Sequence, residues 1–433
     1  MIPSDSSRGT ARRRAWPVGI RALRHRNYRL FFVGQLISVI GSWMQSLAQS
    51  WLVYRLTGSA LLLGLIGFAD KVPVFLLGLA GGLVADRFDR HRVVITTQTL
   101  MMLQALALGL LVVFGVVQVW HIFLFAVVGG IINAFDLPAR QSFVASMVVQ
   151  DDLPNALALN SSIFNAARVI GPAIAGVVVA VIGEGPCFLL NSASFLAVIA
   201  CLLMMRFDTR PGRAELSSTF AYLGQGLRFA TRNPPVRGLL VLIGLIAICG
   251  MPYIVLMPVF AGEILGGGAR ALGTLMGCTG IGAFIGAVSL ARRESVKGLG
   301  RVVAAGAIGF GLSLLLFSIS RSFALSEIAL VLVGFSMITQ AAATNLLLQS
   351  LCPDALRGRV MSLYTMMFVG MAPFGSLLAG SMAHTLGTPA TVGIGGMLCA
   401  LAGLVFASRI PYMRRFVRYP IPESADNRPV AGG

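Results

Sequence analysis

The sequence predicts an all-α membrane protein, with twelve transmembrane helices arranged as two six-helix pseudo-repeats. Three observations carry that prediction. The chain of 433 residues is 56% hydrophobic and only 12% charged, against about 25% charged in soluble domains, and its mean hydropathy is +0.83. Apolar runs of the length a bilayer crossing needs, about 20 residues, recur twelve times along it. The basic residues fall in every second connection between those runs.

The first 28 residues form a basic tail holding Arg8, Arg12, Arg13, Arg14, Arg21, Arg24 and Arg26. The tail lacks the short apolar core and small-residue cleavage site of a signal peptide, and its arginine run suits contact with anionic lipid headgroups. Spans are expected at 29–53, 60–84, 93–117, 122–144, 156–182 and 187–205, and again at 238–260, 272–291, 302–319, 324–348, 361–383 and 391–408. With the amino terminus inside, 28 of the 34 Lys and Arg residues lie on the inner side. Arg55, Arg270 and Arg321 alone lie outside. That asymmetry places both termini in the cytoplasm.

The longest connection, 206–237, divides the spans six and six, so the expected domains are 29–205 and 238–408, with a tail from 409 to 433. Between Pro211-Gly212 and Pro234-Pro235, the residues Phe220, Leu223, Leu227 and Ala230 recur at helical spacing, which predicts a short interfacial helix. The halves resemble each other. Placing Pro172 beside Pro373 brings Asp152-Leu153-Pro154 next to Pro353-Asp354-Ala355, and the loop between spans 2 and 3 has a weaker counterpart at Arg292-Arg293-Glu294-Ser295-Val296-Lys297. Inverted and parallel repeats of this sort build transporters with a binding site at the midplane.

The tight connection Gly82-Leu83-Val84-Ala85-Asp86-Arg87-Phe88-Asp89-Arg90 resembles the signature loop of the major facilitator superfamily, with Asp89 and His91 standing where glycine and a basic residue are usual. Further stretches resemble the bacterial branch that includes the enterobactin exporters. These are Gly41-Ser42-Trp43-Met44-Gln45, Ala134-Phe135-Asp136-Leu137-Pro138-Ala139-Arg140-Gln141 and Asn165-Ala166-Ala167-Arg168, with Gln349 and Pro353-Asp354-Ala355-Leu356-Arg357-Gly358-Arg359 in the second half. On span 5, Arg168-Val169-Ile170-Gly171-Pro172-Ala173 resembles the antiporter motif. The resemblance implies the major facilitator fold and proton-driven export of siderophores, macrolides or other amphipathic compounds by alternating access. It also gives gating roles to Gly82, Asp86, Arg87, Arg90, Gly171, Pro172, Arg357 and Arg359.

Ionisable groups at bilayer depth are costly, so those inside the spans are functional candidates: Asp70, Lys71, Asp136, Arg140 and Arg168. At 1.5 Å rise per residue, Asp70, Asp136 and Arg168 come within about 15 to 21 Å of the cytoplasmic ends of their helices, near one level. Arg168 is then a candidate partner for Asp136, and Asp136 with Arg140 a candidate pair reaching loop 2–3 through Asp86 or Arg87. Asp70 and Lys71 point about 100° apart and are not expected to share a partner; Asp70 is the candidate proton carrier.

Span 1 carries Gln35, Ser38, Ser42, Gln45 and Gln49 on one helix face, expected to line a cavity with Asn165, Tyr253, Gln340, Asn345 and Tyr364. Six cysteines stand in apolar sequence without metal spacing. No metal or other cofactor is expected beyond a proton gradient, because the chain has no Gly-x-x-x-x-Gly-Lys-Ser/Thr loop. Nucleic-acid binding and enzymatic catalysis are disfavoured, since neither an aromatic–basic module nor a nucleophile–base pair is present. The expected partners are a small amphipathic substrate and the lipid bilayer, and the expected state is a monomer. An importer, a facilitator and a non-transporting sensor remain as alternatives.

Overall fold

A computed structural model of the protein describes residues 18–205, 219–293, 295 and 298–414. Twelve helices among these residues are long and apolar enough to cross a membrane. They are α1 Arg26–Thr57, α2 Ala60–Arg87, α3 Arg90–Val113 and α4 Val119–Ser146, then α5 Leu153–Ile182 and α6 Gly185–Leu203. The second set is α7 Pro234–Ile264, α8 Gly268–Ala291, α9 Leu299–Ile319, α10 Phe323–Leu351, α11 Asp354–Leu386 and α12 Thr388–Arg414. Large apolar side chains such as Leu76, Val181, Leu203 and Ile319 stay exposed on them, as helices solvated by lipid require. The arginine run near the amino terminus, Pro211-Gly212 and the tail after Arg414 lie outside the described residues.

All twelve expected spans are present, and their ends differ where backbone chemistry overrides hydropathy. The third was expected to reach residue 117, but α3 ends at Val113. Gly115 adopts φ 70°, and the N–H groups of Gly115 and Val116 donate back to the carbonyls of Val112 and Leu111 at 3.1 Å each. This left-handed glycine closes the helix. The expected amphipathic segment forms the linker helix Thr219–Arg232. Ala230 is buried on it while Leu227 is exposed; the side chains of Phe220 and Leu223 lie outside the described residues.

The prolines aligned between the halves act differently. α5 runs unbroken through Pro172. Proline has no N–H for the carbonyl of Arg168, and that carbonyl instead faces Gly280 of α8, where a Cβ would lie 3.0 Å from it. α11 is broken into Asp354–Phe368 and Ala372–Leu386, and Pro373 opens the second segment. α7 carries π-helical turns at Ile246–Gly250 and Phe260–Ile264, closed by bonds from Met251 N–H to the Ile246 carbonyl (3.0 Å) and from Leu265 N–H to the Phe260 carbonyl (2.9 Å). Pro252 and Pro258 cannot donate within this helix, and π turns of this kind often mark functional segments.

α1–α6 pack as one bundle and α7–α12 as another, joined chiefly through α2 with α11 and α5 with α8. Both contacts are made by backbone touching backbone. A Cβ on Gly176 would lie 2.9 Å from the Cα of Gly273, and one on Gly64 would lie 2.7 Å from the Cα of Gly380. All four glycines are in the helix halves away from the basic connections, and this end is called the distal face below. Toward the basic face the halves separate. The Asp354–Phe368 segment packs on the linker helix, α10 and the start of α7, and Gly78 and Gly82 of α2 have nothing within 4 Å of a Cβ. The molecule is sealed at one end and cleft at the other.

Side chains pin the bundle ends. Asp152, fully buried, lies in the turn Gln150–Asp152 before α5. It accepts from Arg21, from Arg24 Nη2 at 2.8 Å and pairs with His25 Nε2 at 2.7 Å. Asn155 adds bonds to the carbonyl of Gly19 (2.9 Å) and from the N–H of Ala22 (2.8 Å). The chain entering α1 is thus held against the α4–α5 connection. At the distal face, Arg55 donates to both carboxylate oxygens of Glu184, at 2.7 and 3.1 Å, tying α1 to α6.

Candidate functional site

The loop between α2 and α3 was the first motif legible in the sequence. Asp89 caps α3 by accepting from the His91 N–H at 2.9 Å, and the His91 ring stacks on Phe143 of α4 with centroids 5.7 Å apart. Arg90 donates to the Ala85 carbonyl (3.4 Å) and approaches Asp86 at 3.9 Å. Arg87 is exposed. Of the three glycines expected to let another helix come close, Gly78, Gly81 and Gly82, a Cβ on Gly81 would strike the Ala134 carbonyl of α4, and one on Gly78 or Gly82 would meet nothing within 4 Å. In the second half, Arg357 pairs with Asp354 at 2.5 Å and Arg359 donates to Gln225 of the linker helix. A Cβ on Gly226 would lie 3.0 Å from the Cβ of Arg359, so the linker helix rests directly on the basic end of α11.

Asp136 is 1% exposed and fully engaged inside the first bundle. Its Oδ1 accepts from Thr97 (2.7 Å) and Gln98 (2.9 Å) of α3, and its Oδ2 lies 3.4 Å from Arg140 one turn on. Arg140 also donates to Gln35 of α1 at 3.0 Å and lies 5.8 Å from the Phe164 ring. The pair expected at four-residue spacing exists. Its contacts run to α3 and α1, not to loop 2–3, and Arg168 is not among them.

Much of the polar stripe on α1 also turns into that bundle. Gln35 and Ser38 are buried. Gln45 donates to Gln104 of α3 (3.3 Å) and accepts from Asn191 of α6 (2.7 Å). Ser42 bonds the Ser38 carbonyl at 2.9 Å. Helical periodicity put these residues on one face correctly, but that face meets α3, α4 and α6, whose amides offer partners a cavity would not. In the second bundle, Gln340 donates to Thr344 at 3.1 Å and packs against Gly306 of α9. Tyr364 donates to the Ala341 carbonyl at 3.1 Å, and Asn345 accepts from Gln349 at 2.6 Å.

The cleft walls are the stripes that touch the other half at the distal face and lose it toward the basic face. On α5 the stripe descends through Gly176, Pro172, Val169, Asn165, Ser162 and Ala158. The first two meet Gly273 of α8, and Ser162 and Ala158 are exposed. On α2 it descends through Gly64, Gly67, Lys71 and Gly78. Gly67 still meets Val255 of α7 and Ser376 of α11, at 3.3 Å each, whereas Gly78 meets nothing. Below Lys71, Phe75 still packs on Gly370 and Phe374 of α11, and contact gives way between Phe75 and Gly78. Lys71 is 51% exposed and pairs with Asp70 at 3.0 Å. Asp70 and Lys71 therefore bond each other, although adjacent positions point apart on a helix: the long lysine chain bends back to reach its neighbour.

Arg168 holds the corresponding level on α5. Its Cζ stands 5.6 Å from the Trp43 ring of α1. Gly171, one turn along, packs against Trp43 and the Ile40 carbonyl. The guanidinium Nη1 is buried without a hydrogen-bond partner, and so is the hydroxyl of Tyr253 on α7. Tyr253 is the ionisable group acting on Arg168. Trp43, Thr97, Gln98 and Asp152 escaped the sequence reading as site residues; their apolar or loop surroundings carried no signal that told which helix they face. Among the described residues, no group of three or more His, Cys, Asp or Glu side chains is placed to hold a metal ion.

These features fit the comparisons with known proteins. A family described as transmembrane secretion effectors matches residues 18–423. The staphyloferrin A transporter of Staphylococcus aureus is 27% identical over 87% of this chain and 95% of its own. The multidrug efflux pump Tap of Mycolicibacterium fortuitum is 25% identical over 84% and 90%, and the enterobactin exporter EntS of Salmonella typhi is 23% identical over 94% and 98%. Among solved structures, a bacterial homologue of the human lysosomal transporter Spinster, inward-facing and unoccupied, superposes with TM-score 0.70 at 13% identity, covering 94% of this chain and all of that one. Two six-helix bundles, a glycine-sealed interface, the α2–α3 loop and the family match agree: the chain belongs to the transmembrane secretion effectors, in the enterobactin-exporter-like branch of the major facilitator superfamily of transporters.

Proposed function

We propose that this protein is a secondary active exporter of a small amphipathic compound, driven by proton antiport across the inner membrane, with both termini cytoplasmic and a single chain as the working unit. The observation that carries the reading is the end-to-end asymmetry. Glycine contacts seal the distal face, and a cleft with charged walls opens at the basic face, which the excess of Lys and Arg assigns to the cytoplasm. Substrate enters the cleft, the halves rock, and the seal passes to the other end. The names of its relatives, a siderophore transporter, a siderophore exporter and an efflux pump, support this substrate range.

Asp70 and Lys71 are the coupling pair in this scheme. Asp70 is 38% exposed, and a partly exposed ion pair contributes about 0 to 1 kcal/mol, so a proton delivered to Asp70 releases Lys71 at small cost. Lys71 lies on the stripe facing the second half, where its release alters the interface that must open. Asp136, enclosed by Thr97, Gln98 and Arg140, suits a structural role.

The test is proton flux in inverted membrane vesicles loaded with a pH-sensitive dye, across a panel of amphipathic compounds and siderophores. Substrate-triggered proton release from the acidified lumen, lost in Asp70→Asn, is the expected result. Substrate flux that ignores the pH gradient would replace antiport with facilitated diffusion. Substrate accumulation in whole cells only when the protein is present would reverse the direction.

A further inference from the structure

Five charged side chains lie within the membrane-spanning cores of α2, α4 and α5, and four of them neutralise each other. Lys71 pairs with Asp70 and Arg140 with Asp136. Arg168 is the remaining one; it forms no ion pair with a carboxylate among the described residues, and its Nη1 has no hydrogen-bond partner. Buried polar groups almost always find partners, and an unpaired charge in low dielectric is costly. The Trp43 ring lies 5.6 Å from the Arg168 Cζ, and Tyr253 of α7 stands near the guanidinium.

These two donors come from opposite halves of the molecule; Thr279 of α8, which donates to the Leu275 carbonyl at 3.2 Å, stands beside the Tyr253 hydroxyl but leaves it outside hydrogen-bond geometry. Arg168 is on α5 and Tyr253 is on α7, directly after the π turn and Pro252. Arg168 stands at the closed end of the cleft, about two turns below the Gly176–Gly273 contact, where its carbonyl still meets Gly280 of α8. The α5 stripe below it, Asn165 and Ser162, is polar and opens toward the basic face. A guanidinium and a phenol O–H are both donors. What they lack in common is an acceptor, and the guanidinium favours a planar, charged one.

We propose that Arg168 and Tyr253 form an anion-binding site at the end of the cleft, which takes a carboxylate or other planar oxyanion of the cargo while Trp43 supports its apolar body. The inference rests on the exporter reading and narrows its substrate class from amphipathic to amphipathic and anionic. A bound oxyanion satisfies one donor from each half and so bridges the interface whose rearrangement moves the cargo. The sulfur or oxygen chemistry of the remainder of the cargo is immaterial to this site.

The experiment uses the full chain in lipid nanodiscs with three probes sharing one apolar body: pyrenebutyrate, its neutral amide and the matching amine. Binding is read by energy transfer from tryptophan to pyrene. Hydrogen bonds to charged groups are among the stronger ones, so the carboxylate should bind at least about tenfold tighter than the amide. Arg168→Gln should abolish that preference, Arg168→Lys should keep part of it, and Tyr253→Phe should reduce it. The Lys variant keeps the test valid if the Gln variant folds poorly, which thermal melts of each would report.

Equal affinity for the three probes, no saturable binding of the carboxylate, or a preference that survives in folded Arg168→Gln would overturn the site. Flux of the same probes in proteoliposomes separates this from the exporter reading. Flux without charge preference sinks the site and leaves export; charge-selective binding without flux sinks export and leaves the site.

Discussion

Gly176 of α5 and Gly273 of α8 meet backbone to backbone, with each glycine's absent Cβ directed within 3 Å of the other's Cα. Gly64 of α2 and Gly380 of α11 repeat the arrangement on the other side of the interface. Small residues allow such approach in lipid, where packing rather than the hydrophobic effect holds helices together. The seal at the distal face is therefore a fit of surfaces, and any side chain added there acts as a wedge.

Gly176→Val is expected to destabilise the sealed form by about 1 to 3 kcal/mol, the usual cost of overpacking. With tenfold per 1.4 kcal/mol, that shifts the conformational balance toward a form open at the distal face. Spin labels at the exposed positions Val181 and Arg270 would report a longer distance in the variant. An unchanged distribution would mean that the seal is held elsewhere.

Arg140→Gln should lower thermal stability sharply, because it leaves the buried Asp136 carboxylate without its cation; breaking a buried pair typically costs about 3 to 5 kcal/mol. Asp136→Asn should cost less, since Thr97 and Gln98 can still bond the amide. The double variant should recover much of the loss. Melting curves of the three proteins in detergent decide it, and equal melting of Arg140→Gln and wild type would refute the assignment.

Asp152→Asn should free the chain before α1. One buried carboxylate holds Arg21, Arg24 and His25 together, and an amide cannot replace its charge. Trypsin is expected to cut after Arg21 and Arg24 severalfold faster in the variant than in wild type, with transport across the bundle little altered. Equal cleavage rates would show that Asn155 and Tyr28, which bonds the Ala156 carbonyl at 2.7 Å, suffice.

Gly226→Leu should lift the linker helix from α11, since its new side chain would collide with the backbone of Arg359 3.1 Å away. Hydrogen exchange over 219–232 and over the first turns of α11 is expected to rise together. A rise confined to the linker would mean that the contact does not order α11.

The number of spans, the division into halves and the linker helix were legible in the sequence because each depends on apolar length or local pattern. The partners of the polar residues were less so. Periodicity placed Gln35, Ser38 and Gln45 on one face, yet whether that face meets water or Gln104 and Asn191 depends on how six helices turn about their axes. Asp70 and Lys71 were expected not to share a third partner, and their bond to each other could not be read from adjacent directions because a lysine chain is long enough to bend back. Among Gly78, Gly81 and Gly82 only Gly81 is pressed against α4: a sequence shows where small residues stand, and neighbours fix which of them is in contact. Arg168 was picked out as costly from its depth in the span. That it would stand without a carboxylate could be known only once Asp136 had been seen to be satisfied by Thr97, Gln98 and Arg140.

The broken α11 and the unbroken α5 make the two sides of the gate mechanically unequal. α5 is a single rod from the basic face to the seal, so a push on its lower end arrives undiminished at Gly176. α11 is two rods joined at 369–371, and a push on its lower segment is absorbed at the joint before it reaches Gly380. The linker helix grips only that lower segment, through Gly226 and Gln225 against Arg359. Force passed between the halves along the chain can thus bend the cytoplasmic half of the gate while leaving the α2–α11 seal in place, and the stroke that breaks both seals has to be delivered through α5.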